Sequence, residues 1–249
     1  MKFSKLLDKL LPLLTILVII GVWGVSAVII NKDFILPTVT DVAKAFFALF
    51  TEKLFYVSLL GTIFRSLIGF ICSFVLAFGL GILSAKFKPA ERVISVIMSI
   101  VRALPTIAVV LLLIIWTNSL IAPVIVTALV VIPTAYTGLY DALTGIDKTV
   151  TDAGRVDGCD ERRVFLRVEL PLIMPTVYRT IGSGISLNFK LMVAAEVIAQ
   201  TAKSIGFMLN TSKVYFEYAR MFALVCVAVI VGIAVEFVFN KLAQKSEFN

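Results

Sequence analysis

Long apolar runs separated by short polar segments dominate the chain and predict transmembrane helices. A helix needs about 20 predominantly apolar residues to cross the roughly 30 Å hydrocarbon core of a bilayer. Six runs meet or approach this length, at about 10–30, 57–85, 93–116, 119–140, 171–197 and 221–240. Arg102 and Pro105 interrupt the third run, which predicts an interfacial segment followed by a shorter membrane-buried part. The pattern predicts an all-α, polytopic transmembrane helical bundle of about six spans, forming one domain over residues 1–249 with its core at about 55–240.

The composition supports a membrane protein and removes several kinds of chemistry. Hydrophobic residues make up 60% of the chain and charged residues 16%, whereas soluble domains average about 45–50% and 25%. The chain contains no histidine, so it lacks a Ser-His-Asp triad and the usual histidine metal sites. We expect no catalytic residues and no metal site. Cys72 and Cys226 lie in apolar runs and Cys159 lies in a charged stretch, so we expect no disulfide.

The distribution of positive charge predicts the orientation. With both termini on the cytoplasmic side, the inner segments hold thirteen lysines and arginines and the outer segments hold six. Cytoplasmic loops of membrane proteins carry the excess of Lys and Arg. We therefore expect a multi-pass protein of a bacterial-type cell membrane with both termini cytoplasmic. This placement accounts for the net charge of +7 without nucleic acid as a partner.

A row of mostly small residues runs along the second span. Its members recur every four residues, at Gly61, Arg65, Gly69, Ser73, Ala77 and Gly81. Small residues let a neighbouring helix approach closely, and such packing drives helix association in lipid. We therefore expect this row mainly to pack helices together, with part of the translocation wall as the alternative.

One internal loop, at about 141–170, is much longer than the others. It contains the stretch DAGRVDGCDERRVFLRV at 152–168, in which Asp152 suits the positive end of a short helix and Gly158 provides a turn. Leu170-Pro171 is expected to start the next span. The apolar side of this predicted helix-turn-helix, which includes Val164, is expected to be free. The residues alone leave two roles open, resting on lipid headgroups or docking to a soluble partner.

The loop resembles the EAA loop of binding-protein-dependent ABC importer permeases. Asp152-Ala153-Gly154, Gly158 and Leu170-Pro171 stand where that motif has Glu-Ala-Ala, a glycine and a Leu-Pro pair. Asp152 replaces the usual Glu, and Gly154 replaces Ala at a cost of about 1 kcal/mol in helix propensity.

Other stretches are similar to the nitrate, sulfonate and taurine branch of that family, and the resemblance covers roughly residues 20–240. These stretches are Ile35 to Val42, Ser58 to Gly81, Arg102 to Pro105, Ala194-Ala195-Glu196 and Ser204 to Phe207.

The resemblance implies a permease with the type I importer fold and a cytoplasmic coupling helix between spans four and five. Its implied partners are two copies of a cytoplasmic ABC ATPase subunit, an extracytoplasmic solute-binding protein and a second permease chain, either a second copy in a homodimer or a similar chain. The branch implies small solutes such as nitrate, sulfonates, bicarbonate or vitamin precursors, without choosing among them. Candidate residues for ATPase docking are Asp152, Ala153, Gly154, Arg155, Asp157, Gly158 and Glu161.

Charged residues inside the predicted spans are the candidates for the solute pathway. A charge at the bilayer centre costs about 2.5–3.5 kcal/mol on insertion scales, so Arg65, Lys190 and Glu196 should each face a cavity or a partner. Lys190 and Glu196 are about 240° apart around one helix and cannot pair with each other. Glu196 is a candidate partner for Arg65 and lies near the outer end of its span, where we expect water to reach it. Lys190 is expected either to attract an anion in the solute path or to pair or snorkel.

The chain contains no G-x-x-x-x-G-K-[ST] phosphate loop. We therefore expect no cofactor in this chain and no enzymatic activity of its own, with ATP and Mg bound by the partner ATPase. An ion-gradient-driven secondary transporter or channel is the alternative. It is disfavoured by the absence of an inverted repeat and of paired broken helices in the sequence.

Overall fold

A computed structural model describes residues 2–147, 149–152 and 160–247, and within these ranges every regular element is helical. The elements are α1 (Lys2–Ile30), α2 (Val39–Leu49), α3 (Lys53–Lys86), α4 (Lys88–Ala103), α5 (Thr106–Trp116), α6 (Ala122–Thr144), α7 (Glu161–Val164), a π-helical turn (Phe165–Glu169), α8 (Leu170–Ala199), α9 (Ile205–Val214) and α10 (Tyr218–Glu247). The predicted all-α fold is confirmed.

Among the described residues, four helical stretches are long and apolar enough to cross a membrane. They are Lys53–Lys86, Ala122–Thr144, the continuous helix Glu161–Ala199 and Tyr218–Val238. The pair α4 and α5 counts as a fifth span if its bend is included. The described apolar part of α1, Leu14–Ile30, is shorter. The predicted count of about six is therefore reached only by including both the bent pair and α1.

The bend between α4 and α5 agrees with the predicted interruption of the third apolar run. The two helices meet at 93°. Leu104 before the proline has extended backbone (φ −68°, ψ 128°), because the ring of Pro105 disfavours helical backbone in the preceding residue. At the end of α4, Arg102 donates a 2.7 Å hydrogen bond to the Thr137 hydroxyl of α6. The charged helix α4 therefore leads into the short, almost wholly apolar helix α5.

The row of small residues on α3 packs against its neighbours, as predicted. Gly69, Ser73, Ala77 and Gly81 are all buried. A Cβ added at Gly69 would lie 3.2 Å from Cγ1 of Val124, and one added at Gly81 would lie 3.4 Å from Cβ of Leu139. The missing side chains therefore let α3 approach α6 closely.

Helix α8 lies at the centre of the bundle and contacts α3, α6 and α10. One buried polar side chain makes hydrogen bonds across the α8–α3 interface. The Asn188 amide donates to the backbone carbonyl of Ser66 at 2.7 Å and is 2.8 Å from the Ser66 hydroxyl. Hydrogen bonds of this kind between membrane helices contribute about 0.6–2 kcal/mol. They fix α8 against α3 at mid-span.

Candidate functional site

The predicted coupling segment is described only at its two ends. Asp152 is exposed at the end of a helical stretch at 149–152, and Glu161 is exposed at the start of α7. The remaining docking candidates lie outside the described residues: Ala153, Gly154, Arg155, Asp157 and Gly158. At the start of the segment, the backbone N–H of Thr149 donates to Asp147 at 2.9 Å and holds the pKa of that carboxyl below its usual value. This local turn leads the chain from α6 toward Asp152.

After the segment, Asp160 caps the helix that follows. Its carboxylate accepts the backbone N–H of Arg163 at 3.0 Å, which satisfies one of the free donors at a helix start. Val164 is 1% exposed, so the expectation that it belongs to a free apolar side is wrong. The predicted coupling segment is therefore followed directly by a helix that packs into the bundle through Val164.

That helix continues without a break into the fifth predicted span. The sequence predicted a start at Leu170-Pro171, but the structure has one 39-residue helix, Glu161–Ala199. Pro171 has no N–H to donate and would normally interrupt the ladder. The π-helical turn Phe165–Glu169, in which the Leu170 N–H bonds to the Phe165 carbonyl, widens the helix just before the proline. The predicted start at Leu170 is therefore wrong as the beginning of the helix.

Lys86, at the end of α3, contacts this π-helical turn. Its Nζ lies 4.5 Å from the centre of the Phe165 ring, a cation–π distance. Beside the contact is a cavity of about 600 Å³, lined by the end of α3, the start of α4, the end of α6, Asp152 and Glu169. The end of α3 at Lys86 is thus connected to the element that follows the predicted coupling segment.

The opposite end of α8 carries a buried ion pair. Arg65 of α3 donates from Nε at 2.9 Å and from an NH2 group at 2.7 Å to one carboxylate oxygen of Glu196. The Thr62 hydroxyl donates to the other oxygen at 2.8 Å. The Glu196 side chain is 0% exposed and the Arg65 side chain is 17% exposed. The pairing suggested by the sequence is present, whereas the expectation that water reaches Glu196 is wrong, because α3 and α9 cover it.

The same carboxylate holds the turn between α8 and α9. The Gly206 N–H approaches Glu196 Oε2 at 3.4 Å, and the Ile205 N–H donates to the Thr62 hydroxyl at 3.0 Å. Arg65 reaches the Lys203 carbonyl at 3.3 Å. Gln200 and Lys203 have positive φ values of 50° and 52°. Together, these contacts fasten the α8–α9 turn to α3 in a tightly defined conformation. We call it the outer clasp (Thr62, Arg65, Glu196, Lys203 to Gly206), because the orientation predicted from the positive charges places it on the outer side.

Thr62 and Gly206 belong to the outer clasp but were not among the predicted site residues. A Cβ at Gly206 would lie 2.4 Å from Cβ of Glu196, so only glycine fits there. The signal that pointed to Gly206 was its place in the stretch Ser204 to Phe207, which was quoted for the resemblance. Nothing in the sequence distinguished Thr62 from other hydroxyl residues of the spans.

Lys190 lies apart from the outer clasp on another face of α8. It is exposed in the single chain, and its stem passes α10, where a Cβ at Gly232 would lie 3.4 Å from Cε of Lys190. Of the three candidate pathway residues, the structure therefore brings Arg65 and Glu196 together and leaves Lys190 separate. Within the described part of the chain, no group of three His, Cys, Asp or Glu side chains is placed to hold a metal ion.

Comparison with known proteins identifies the class to which this bundle belongs. Residues 77–247 match the family described as the inner membrane component of binding-protein-dependent transport systems. A probable ABC transporter permease of Brucella melitensis is 24% identical over 215 residues, covering 86% of this chain and 87% of that protein. The putative aliphatic sulfonates transport permease SsuC of Bacillus subtilis is 23% identical, covering 86% of this chain and 78% of that protein.

A solved structure shares the fold. The inward-facing MetNI methionine ABC transporter superposes with a TM-score of 0.68 at 18% identity, covering 78% of this chain and 96% of the matched chain. The chain belongs to the family of binding-protein-dependent transport system inner membrane components. It is a membrane-spanning permease subunit of an ABC importer, a class in which the ATPase is a separate subunit.

Proposed function

We propose that this permease forms half of a solute pathway and that its segment 152–161 docks into a cytoplasmic ATPase subunit. The observation that carries the proposal is the single helix Glu161–Ala199, which begins at the last residue of that segment and ends at the outer clasp. At 1.5 Å per residue, its 39 residues extend about 58 Å. A displacement of the docking segment by a closing ATPase is thereby carried across the membrane by one rigid element.

The orientation follows from the positive charges and from the docking role. The segment at 141–170 faces the cytoplasm, where the ATPase and its nucleotide are found, and both termini lie on that side. The count of thirteen positive residues against six supports this assignment. The outer clasp and the helix α9 then face the solute-binding protein.

The complex contains two permease copies, two ATPase subunits and one extracytoplasmic binding protein. The permease copies form a homodimer around the pathway, and each acts as a single membrane domain. ATP and Mg are bound by the ATPase pair, because no phosphate loop occurs in this sequence. This chain itself contributes no catalytic residue and no cofactor site.

The solute passes along the exposed face of α8, which carries Lys190. The outer clasp holds Arg65 and Glu196 to each other and keeps the outer ends of α3 and α8 in register. The solute is a small molecule of the kinds handled by the branch, with sulfonates among them. Its identity is set largely by the binding protein, which is a different chain.

Reversal of one docking charge tests this function. Two complexes are reconstituted in liposomes, one with Asp152→Arg and one with the control Asp33→Arg. In each, we compare ATP hydrolysis with and without the binding protein, which carries the solute with which it was purified. Asp33 lies in the α1–α2 connection and shares a cavity with Glu52 at the start of α3, whereas Asp152 shares one with Lys86 at the end of α3. Coupling between sites is typically 5–150-fold, so we expect Asp152→Arg to lose at least about fivefold of the stimulation and Asp33→Arg to retain it.

Two results contradict the proposal. One is full stimulation in the Asp152→Arg complex, which removes the docking role from this segment. The other is solute transport by the purified permease alone under an ion gradient, which is the behaviour of a secondary transporter or channel.

A further inference from the structure

Lys190 is a cation near the middle of a membrane-spanning helix, and it has no carboxylate partner in the described part of the chain. It lies about 14 Å along the helix axis from the outer end of α8 at Ala199, roughly midway through a 30 Å hydrocarbon core. Glu236, one turn from Gly232 along α10, is the acidic residue closest along that helix. Neither Lys190 nor Glu236 forms an ion pair with another described residue. A charge in this position is expected to face a polar path or a protein neighbour, because contact with lipid is costly.

The face of α8 that carries Lys190 differs from the other exposed faces of the bundle. Arg179, Ser183, Lys190 and Ala194 are exposed on one side of α8, with two charges among them. The exposed large side chains in the middle of α3 and of α10 are apolar, whereas the exposed lysines Lys53, Lys86 and Lys241 lie toward the ends of these helices. The apolar side chains are Leu60, Phe64, Leu67, Ile68, Ile71, Val75, Leu76 and Leu83 on α3, and Val225, Val229, Ile230, Ile233, Phe237 and Val238 on α10. The α3 and α10 faces have the character of lipid contacts, and the α8 face does not.

A hollow lies beside this face, between α6 and α8. Its volume is about 230 Å³, and Thr134, Thr180, Ser183 and Leu187 are among the residues that line it. Lys190 follows Leu187 by three residues and so lies about one turn further out on the same side of the helix. Lys190 therefore follows this hollow along the exposed side of α8, and its stem passes Gly232 of α10.

We infer that Lys190 attracts a small anion, such as a sulfonate, carboxylate or phosphate, into the solute path, and that the solute of this importer is anionic. This inference rests on the proposed function, since it takes the α8 face as the wall of the pathway. A lysine that only snorkels toward the headgroups does not make the electrostatic potential on that face more positive. The two arrangements therefore differ in a measurable quantity, the local electrostatic potential in the water next to α8.

The potential is measured with two thiol reagents of similar size and opposite charge, the anionic sulfonatoethyl and the cationic trimethylammonioethyl methanethiosulfonates. The reacting thiol is Ala194→Cys, four residues outward from Lys190 on the same face, in a chain whose three native cysteines are replaced by serine. The assay uses the assembled complex in liposomes. The ratio of the two rates on one thiol cancels any effect of Lys190 on the ionisation of the thiol itself.

At about 6 Å in water, one unit charge changes the rate ratio of oppositely charged probes by about tenfold. We expect Lys190→Met to lower the ratio of anionic to cationic rates by about five- to tenfold at low ionic strength, and Lys190→Arg to preserve it. Glu236→Gln should not lower the ratio. Val229→Cys, on the exposed apolar face of α10, is the matched control and should react with neither reagent.

Two outcomes overturn the inference in different ways. If Ala194→Cys reacts with both reagents at a ratio independent of Lys190, the face is wet but Lys190 does not attract anions. If Ala194→Cys is as unreactive as Val229→Cys, the face is not a water path at all. Either result is distinct from a failure of the proposed function, which is read from the stimulation of ATP hydrolysis in the Asp152→Arg complex.

Discussion

The guanidinium of Arg65 in α3 donates two hydrogen bonds, at 2.9 and 2.7 Å, to a single carboxylate oxygen of Glu196 in α8. The other oxygen is left for Thr62 and for the backbone of the α8–α9 turn. One carboxylate therefore joins two spans and an outer turn. Because Glu196 is also the last charged residue of the helix that begins beside the coupling segment, this contact fixes the far end of the proposed transmission element.

Loss of one partner of this pair should destabilise the permease strongly. Breaking a buried pair from one side costs about 3–5 kcal/mol, because an uncompensated charge remains buried. We expect Glu196→Ala to lower the midpoint of thermal unfolding in detergent well below that of the unmodified protein. Thr62→Val, which removes one neutral donor, should have a smaller effect of about 1–3 kcal/mol, since it leaves the carboxylate short of a hydrogen bond.

A double-mutant cycle separates the interaction energy between Arg65 and Glu196 from the effect of changing the size of each side chain. Arg65→Met combined with Glu196→Met leaves no buried charge, so the double variant should be more stable than the sum of its single variants predicts. Strict additivity of the two losses in free energy of unfolding is the result that contradicts a direct interaction.

Gly206 should be intolerant of even a methyl group. A Cβ there would lie 2.4 Å from Cβ of Glu196 and 2.6 Å from the Val197 nitrogen, and backbone atoms cannot rotate away. We expect Gly206→Ala to cost about 1–3 kcal/mol through overpacking and to displace the outer turn. The control is Gly79→Ala on α3, where nothing lies within 4 Å of the added Cβ. That change should be neutral, or favourable by up to about 1 kcal/mol of helix propensity.

Equal stability of the Gly206→Ala and Gly79→Ala proteins, measured as thermal midpoints under one detergent condition, is incompatible with the packing described for the outer clasp.

The contact between Lys86 and Phe165 should matter for coupling more than for folding. A cation–π contact at an exposed position contributes only about 0.5–1 kcal/mol, so Lys86→Gln and Phe165→Leu should barely change the unfolding midpoint. Both lie where α3 meets the turn that follows the coupling segment. We expect each change to reduce the stimulation of ATP hydrolysis by the loaded binding protein, and the two together to reduce it no further. Lys86→Arg retains a cation over the ring and should behave as the unmodified protein.

Additive losses in the Lys86→Gln, Phe165→Leu double variant would show that the two side chains act separately.

Several features of the molecule were predictable from sequence because they follow from helix geometry and from the high cost of exposing charges to lipid. Two opposite charges in apolar spans, Arg65 and Glu196, had to be satisfied by protein, and a pair between them was one hypothesis that met this requirement. The spacing of six residues between Lys190 and Glu196 placed them on different faces of α8. Small residues every four positions predicted the close approach of α3 to its neighbours. Each of these inferences depends on helix geometry and solvation alone.

Other features depend on tertiary contacts that a linear pattern does not contain. The position of Glu196 near a helix end suggested contact with water, but α9 folds back over it through Gly206. Leu170-Pro171 suggested a helix start, because a proline usually marks one, and the π-helical turn at Phe165–Glu169 that accommodates it had no recognised sequence signal. The role of Thr62 was not predictable either, since hydroxyl residues are common in membrane helices and nothing distinguished this one.

The two ends of α3 should prove to be on opposite sides of the membrane, with the end next to Asp152 inside. Phe34 in the α1–α2 connection is 60% exposed, and Lys88 is exposed at the start of α4, just beyond the opposite end of α3. Single cysteines at these positions, in the cysteine-free chain, can be tested in intact cells with a membrane-impermeant thiol reagent. We expect Phe34→Cys to react from outside and Lys88→Cys to react only after the membrane is opened, because the segments rich in Lys and Arg remain inside. The reverse pattern would place the 141–170 segment outside, out of reach of a cytoplasmic ATPase, while leaving the helix packing and the polar face of α8 unaffected.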